Sequence, residues 1–319
     1  MRIGLLNNLR AGRSDAQVTR LLSFLKQHPD VVHAETDSAG ALPEALADLS
    51  RHEVALLVVN GGDGTLQHTL TEILGNGVFE GRVPMVAPLR GGRTNMSALD
   101  LGASRDPVKG MARLIDAAKS GRLAERTSWR QVLRVEHGRP RNVHYGMFCG
   151  VGMIHRAIEL AHRTFTHRRT QGVVGATLVT GALTGKLVMR KHDGVLMPDK
   201  VQILLDGEMM ERGEFSLLIV STLTRLFAGM RPFWGTGPES VRFTAIATGA
   251  PQLWKAIPGM LRGRPARHVT DQNGYTSRNV GRAELRADCG FTVDGELIRP
   301  EPGRILSITA DQGVRFVRA

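Results

Sequence analysis

Six consecutive residues without a polar side chain, Val54-Ala55-Leu56-Leu57-Val58-Val59, run directly into Asn60-Gly61-Gly62-Asp63-Gly64-Thr65. A strand that is apolar on both sides of its pleat must be covered on both faces, as strands of a parallel α/β sheet are. Beyond the glycines, Leu66, Leu70, Ile73 and Leu74 recur at helical spacing, so strand, tight turn and helix follow without slack. The same alternation fills the first 125 residues. Ile3-Gly4-Leu5-Leu6-Asn7, 31–36 and 83–88 read as strands. Val18, Leu21, Leu22 and Leu25, then Leu42, Leu46 and Leu49, then Met111, Leu114 and Ile115 mark helices. The expectation is an α/β domain with an open parallel sheet and right-handed crossovers, binding its ligand at the carboxyl ends of the strands.

After 124–127 the pattern changes. Alternating strands are expected at 131–136, 201–205, 214–221, 241–246, 283–286, 290–293 and 305–309, with Asp206-Gly207 and Asp294-Gly295 as hairpin turns. Helical stretches fall at 153–166, 173–189 and 251–261. This predicts an antiparallel β-sandwich with helices over 126–319, its last strand left free to return to the first domain. The charge divides at the same place. The chain carries 42 basic and 30 acidic residues; 1–125 hold 14 of each, so the whole net charge of +12 belongs to 126–319. A basic domain beside a neutral one points to an anionic surface as partner. Two cysteines are too few for a disulfide scaffold, and the eleven histidines show no metal-ligand spacing. The uncharged stretch 170–185 is too short to span a bilayer. With no apolar signal core in Met1 to Arg10, a cytoplasmic location is expected.

The chemistry concentrates in the glycine turn. Glycines let main-chain N–H groups approach phosphate oxygens, and the positive end of the following helix favours the anion. Thr65 is placed as N-cap or phosphate donor, and Asp63 could hold Mg²⁺ through water or orient a nucleophilic hydroxyl. A plain tight turn gives the same letters. The spacing is neither that of a Walker loop nor that of the dinucleotide fingerprint.

Gly61-Gly62-Asp63-Gly64-Thr65 on a buried strand resembles the signature of the diacylglycerol kinase catalytic domain family, which includes bacterial lipid kinases and sphingosine and ceramide kinases and is related in fold to NAD kinases. Asn8-Leu9-Arg10-Ala11-Gly12 is similar to the family's opening loop, and Thr36 closes the second strand where the family places a nucleotide-side threonine. Pro88-Leu89-Arg90-Gly91-Gly92-Arg93-Thr94-Asn95 resembles its second nucleotide loop, Gly150-Val151-Gly152 the opening of its second domain, and Asp294-Gly295-Glu296 its late Asp-Gly-Glu. The resemblance implies ATP and Mg²⁺ as cofactors. It implies Asn8, Gly12, Thr36, Gly61, Gly62, Asp63, Gly64, Thr65, Gly92, Arg93, Thr94 and Asn95 around the nucleotide, Glu296 as catalytic base and Asp63 as second catalytic candidate. The Asp-Gly-Glu at 206–208 has the same letters but reads as a solvated turn.

The departures from the family bear on the substrate. Arg93 stands where the family has threonine and Met96 where it has aspartate, while Gln67-His68 replaces a frequent Asn-Glu pair. Arg93 can restore a phosphate contact by a charge-assisted bond. Pro238-Glu239 replaces an Asp-Gly that holds a structural metal in some members, so no second metal is expected. The implied activity is phosphoryl transfer to a neutral lipid hydroxyl, of diacylglycerol, ceramide or a sphingoid base, at the inner face of the cytoplasmic membrane. A soluble kinase of the NAD kinase type and a non-catalytic nucleotide-binding regulator at the membrane are the alternatives. The segments 161–169 and 254–264, basic with apolar residues, are the expected contacts with an anionic bilayer. Nucleic acid is not an expected partner, since no recognition module is present, and oligomeric state is not legible.

Overall fold

In the computed structural model, which describes residues 1–11, 15–138, 142–164, 194–301 and 303–319, the apolar run becomes the centre of a parallel sheet. The strands Ile3–Asn8 (β1), Val31–Thr36 (β2), Leu56–Gly61 (β3) and Met85–Arg90 (β4) alternate with the helices Asp15–Leu25 (α1), Leu42–Arg51 (α2) and Asp63–Leu74 (α3). Two more helices follow, Met96–Asp100 (α4) and Pro107–Lys119 (α5). The strand order is β4-β3-β1-β2, with parallel pairing throughout. Alternate residues explain why the strands read as unbroken apolar runs. Leu5, Leu56, Val58 and Leu89 pack with Leu21 of α1 and Met111 and Leu114 of α5. Leu6, Leu57, Val59 and Val86 point the other way and are equally buried, on the face where α2 and α3 pack on the strands. Gly4 is small because α2 lies close: a Cβ there would meet Val54 and Leu49.

The chain divides into two compact units, Met1–Val132 together with Gln312–Ala319, and Leu133–Asp311. Composition changes at 124–127, within the short 3₁₀ turn that precedes the strand Thr127–His137 (β5). The first unit is completed by the far end of Ile305–Val317 (β16), parallel to β4 with Phe316 opposite Val86.

The second unit contains Asn142–Gly146 (β6), Phe148–Val151 (β7), Met153–Thr164 (α6), Asp199–Leu205 (β8), Glu208–Met209 (β9) and Glu214–Ser221 (β10). Val241–Ala247 (β11), Leu253–Met260 (α7), Tyr275–Val280 (β12), Arg282–Ala287 (β13), Phe291–Val293 (β14) and Glu296–Ile298 (β15) follow. One antiparallel set runs β8-β13-β16 and another β15-β14-β7-β10-β11-β12. Ile203, Leu285 and Ile308 of the first set share a core with Val151, Leu218, Phe243 and Phe291 of the second, so the unit is an antiparallel sandwich carrying helices. Gly12, the segment 165–169 and the helix expected over 173–189 lie outside the described residues. No helix among the described residues is long and apolar enough to cross a membrane.

Candidate functional site

The strand order changes direction between β1 and β3, and a crevice opens beyond the carboxyl ends of strands at such a switch point. The predicted nucleotide residues gather at this edge. Asn8 ends β1 and is in register with Thr36, which ends β2, while Gly61 ends β3 beside Arg90 at the end of β4. Across the switch point the Asn8 side chain donates to Thr65 Oγ1 at 2.8 Å, and its own Oδ1 accepts from the Arg10 N–H. Thr36 turns inward and donates to the Ser38 carbonyl.

Gly62, with extended backbone, is the N-cap of α3, so Thr65 is the third residue of the helix and not its cap. The expectation for Thr65 as N-cap is corrected on this point: only Gly62 separates β3 from α3, so the helix begins two residues before Thr65. Its hydroxyl is instead the acceptor of the Asn8 amide.

The glycines bring two loops into contact. A Cβ on Gly92 would land on the Gly62 Cα, and one on Gly91 would sit 2.6 Å from the Gly61 nitrogen. Gly61 itself is crowded by the Thr65 side chain. Their smallness is used first for packing turn against turn. The second loop is closed on itself by Asn95. That residue takes a left-handed conformation (φ 50°, ψ 43°), accepts from the Gly92 N–H and donates to the Gly92 carbonyl, both at 2.7 Å.

Asp63 fastens the two loops. Its carboxylate accepts the Met96 N–H at 3.0 Å and the Ser97 N–H at 2.8 Å, the first donors of α4. Burial raises its pKa, and the hydrogen bonds from Ser97 and Met96 pull against that. Beneath the loops, Val59, Leu66, Pro88, Leu89 and Ala98 line a cavity with room for about one water molecule. The two turns are therefore in near contact, with little space left between them.

Arg93 is exposed and Thr94 half-buried. Arg90 lies inside the second loop's motif, but the motif assigns it no role. It closes β4, its Nε is buried without a hydrogen-bond partner, and burial together with the neighbouring Arg105 lowers its pKa. The two cations repel one another across a short range, so an anion near Arg90 would be favoured. The signal in the sequence is a basic residue that directly follows four apolar ones, Val86-Ala87-Pro88-Leu89.

In the second unit the late Asp-Gly-Glu forms a β-turn between β14 and β15. Asp294 (φ 47°) and Gly295 (φ 96°) are both left-handed, and Glu296 opens β15, exposed and opposite Val293. Asp294, which sequence reasoning missed, is the buried carboxylate here: it accepts the Met147 N–H at 2.8 Å and the Phe148 N–H at 3.0 Å. Gly146 is glycine for the same reason, since a Cβ there would press on the Asp294 carboxylate. Asp206-Gly207 repeats the device at the surface, with Asp206 (φ 51°) accepting from the Gly281 and Arg282 N–H groups. Glu208 follows it, exposed and paired with Arg278.

Residues 2–123 match the family model of the diacylglycerol kinase catalytic domain. Among solved structures, a protein from Bacillus anthracis str. Sterne, provisionally assigned as a diacylglycerol kinase, is 16% identical over 99% of this chain and 95% of its own, with a TM-score of 0.67. A further diacylglycerol kinase from the same organism is 16% identical, covering 99% of this chain and 96% of that one, with a TM-score of 0.60. At that identity the likeness establishes a shared fold along the whole chain. No curated protein matches. Over residues 2–123 the chain is thus similar to the diacylglycerol kinase catalytic domain, and over its length it shares the fold of those structures.

Proposed function

We propose that this protein is an ATP-dependent lipid kinase that phosphorylates the hydroxyl of a neutral membrane lipid, with diacylglycerol, ceramide or a sphingoid base as acceptor. The observation that carries the reading is the Asp63 brace. A carboxylate spends both oxygens on the first N–H groups of α4, just after the second glycine loop, beside the switch point of the sheet, in a region similar to a kinase catalytic domain. The first N–H groups of a helix have no intrahelical acceptors, so the start of α3 offers donors and a positive dipole end to phosphate oxygens. Donors held rigidly before the substrate arrives stabilise developing charge without reorganising, and the brace supplies that rigidity. Arg90, Arg93 and Arg105 add the cations.

Magnesium neutralises phosphate charge when bound. Direct ligation by Asp63 does not suit its geometry, because both oxygens are engaged by N–H groups, and the described residues contain no group of three acidic, histidine or cysteine ligands. A magnesium ion would be carried by the nucleotide and reach Asp63 through water. Glu296 serves as the base. The acceptor O–H bond breaks toward its carboxylate, the oxygen forms a bond to the γ-phosphorus, and the bond from that phosphorus to the leaving diphosphate oxygen breaks. Gln67 is buried and bonded to Thr71, so it belongs to the core of α3 rather than to the acceptor.

The test is γ-labelled ATP with each candidate lipid in mixed micelles. Label in one of the lipids is expected, with Glu296→Gln slowing transfer by about 10²–10⁴-fold and leaving the melting temperature unchanged because the side chain is exposed. No labelled lipid overturns the activity, and an unimpaired Glu296→Gln overturns the base.

A further inference from the structure

Helix α7 carries an exposed tryptophan and no acidic neighbour in sequence. From Ser240 to Thr270 the chain has Arg242, Lys255, Arg262, Arg264 and Arg267 and not one carboxylate. The helix is firmly seated. Ala256 and Met260 are buried with Ile246, Val269 and Tyr275, and the Tyr275 hydroxyl donates to the Pro251 carbonyl at 2.6 Å, just ahead of the first turn. The buried pair lies at i and i+4. The opposite stripe, Trp254, Pro258 and Arg262 at the same spacing, is exposed. Trp254 is 59% exposed although large and apolar, and Lys255 Nζ lies 5.0 Å from its ring centroid. The main chain then brings Arg231 alongside, its N–H donating to the Leu261 carbonyl.

We infer that this face of α7 docks on an anionic lipid bilayer, with Trp254 inserted at headgroup depth and Lys255, Arg262 and Arg264 on lipid phosphates. This rests on the lipid-kinase reading for its purpose but not for its evidence. A rigid tryptophan whose polar edge stays wet suits the headgroup layer. Its flanking positions point the same way. Leu253 and Ile257 are half-buried beside it, so shallow entry adds apolar area, and the cations sit where an anionic surface raises their value. A nucleic-acid site would present several aromatics for stacking along a groove, and this helix presents one.

The experiment is sedimentation of the full chain with vesicles of phosphatidylcholine, and of equimolar phosphatidylcholine and phosphatidylglycerol, without ATP or acceptor. Binding to the anionic vesicles is expected, falling on the order of 100-fold in a Lys255→Glu, Arg262→Glu, Arg264→Glu variant. Brominated lipid should quench the tryptophan fluorescence of the wild type and lose most of that quenching in Trp254→Phe. Because exposed positions are altered, circular dichroism should match the wild type. If the charge-reversed variant failed to fold, the Trp254→Phe quenching would still decide the matter. Equal sedimentation of wild type and charge-reversed variant, unchanged quenching in Trp254→Phe, or tight binding of single-stranded DNA with none to vesicles overturns the inference. Transfer to a short-chain lipid in detergent should be the same in these variants. Loss of transfer in every form would sink the kinase reading while leaving vesicle binding to stand or fall alone.

Discussion

A glycine can be needed for its freedom or for its emptiness, and the two loops at the sheet edge need the second. Neither Gly62 nor Gly92 has a positive φ, yet a Cβ on Gly92 would overlap the Gly62 backbone, whereas one on Gly62 would rest 3.4 Å from Gly92 Cα. The pair is therefore unequal. Gly92→Ala should cost about 1–3 kcal/mol through overpacking and should disturb nucleotide binding, while Gly62→Ala should cost below about 1 kcal/mol. Thermal melting of the two variants side by side checks the order. Reversal would mean that the turns are not in contact. The glycines themselves are plain in the sequence, but their reason is not. Gly62 and Gly92 are separated by a whole helix and strand, and only folding makes one the ceiling of the other. Asp63 is a similar case, legible as a site residue and illegible as a brace, because its two donors are main-chain groups that any residues at 96 and 97 would supply.

Among the elements, the two Asp-Gly-Glu turns form a natural pair. Each starts with a left-handed aspartate that collects two successive N–H groups from another strand or turn, and each is followed by a glutamate that opens a strand. They differ in solvent. Asp294 is buried where it receives Met147 and Phe148, so Asp294→Ala strands two enclosed donors and should cost about 2–4 kcal/mol. Water can replace Asp206 at the surface, and Asp206→Ala should cost below about 1 kcal/mol. Urea unfolding of both variants tests this, and equal losses would refute it. The hairpins and most long strands were legible, since alternation and Asp-Gly turns are local signals. β6 and β7 were not, because Gly146 and Gly150 interrupt their apolar pattern, and each is glycine to make room for a partner distant in sequence or for Ile154. β12 was missed as well. Among the described residues it pairs only with β11, and at an edge polar residues such as Thr276, Ser277 and Asn279 are tolerated.

At the scale of the whole molecule, acidity should act through histidines kept neutral. Burial lowers the pKa of His155, His137 and His33, and His155 is 4% exposed with its Nε2 unpaired. A base with its folded pKa below the unfolded value gives stability that is present above the unfolded pKa and lost as pH falls through the folded one. The melting temperature should thus fall as pH drops below about 6.5, and His155→Phe should flatten the fall. An unchanged slope would assign the loss elsewhere. The large-scale charge division was readable because it needs only counting; the return of the last strand was allowed for, but not which strand it pairs with, because that partner lies at the other end of the chain. Val317 and Ala319 sit in the same core as Leu5 and Val58, and Phe316 lies against Val86. A ribosome that has finished the first 132 residues has therefore released an incomplete sheet. β4 waits with an open edge until residues 312–319 emerge, and for the length of that synthesis the nascent first unit depends on whatever shields that edge.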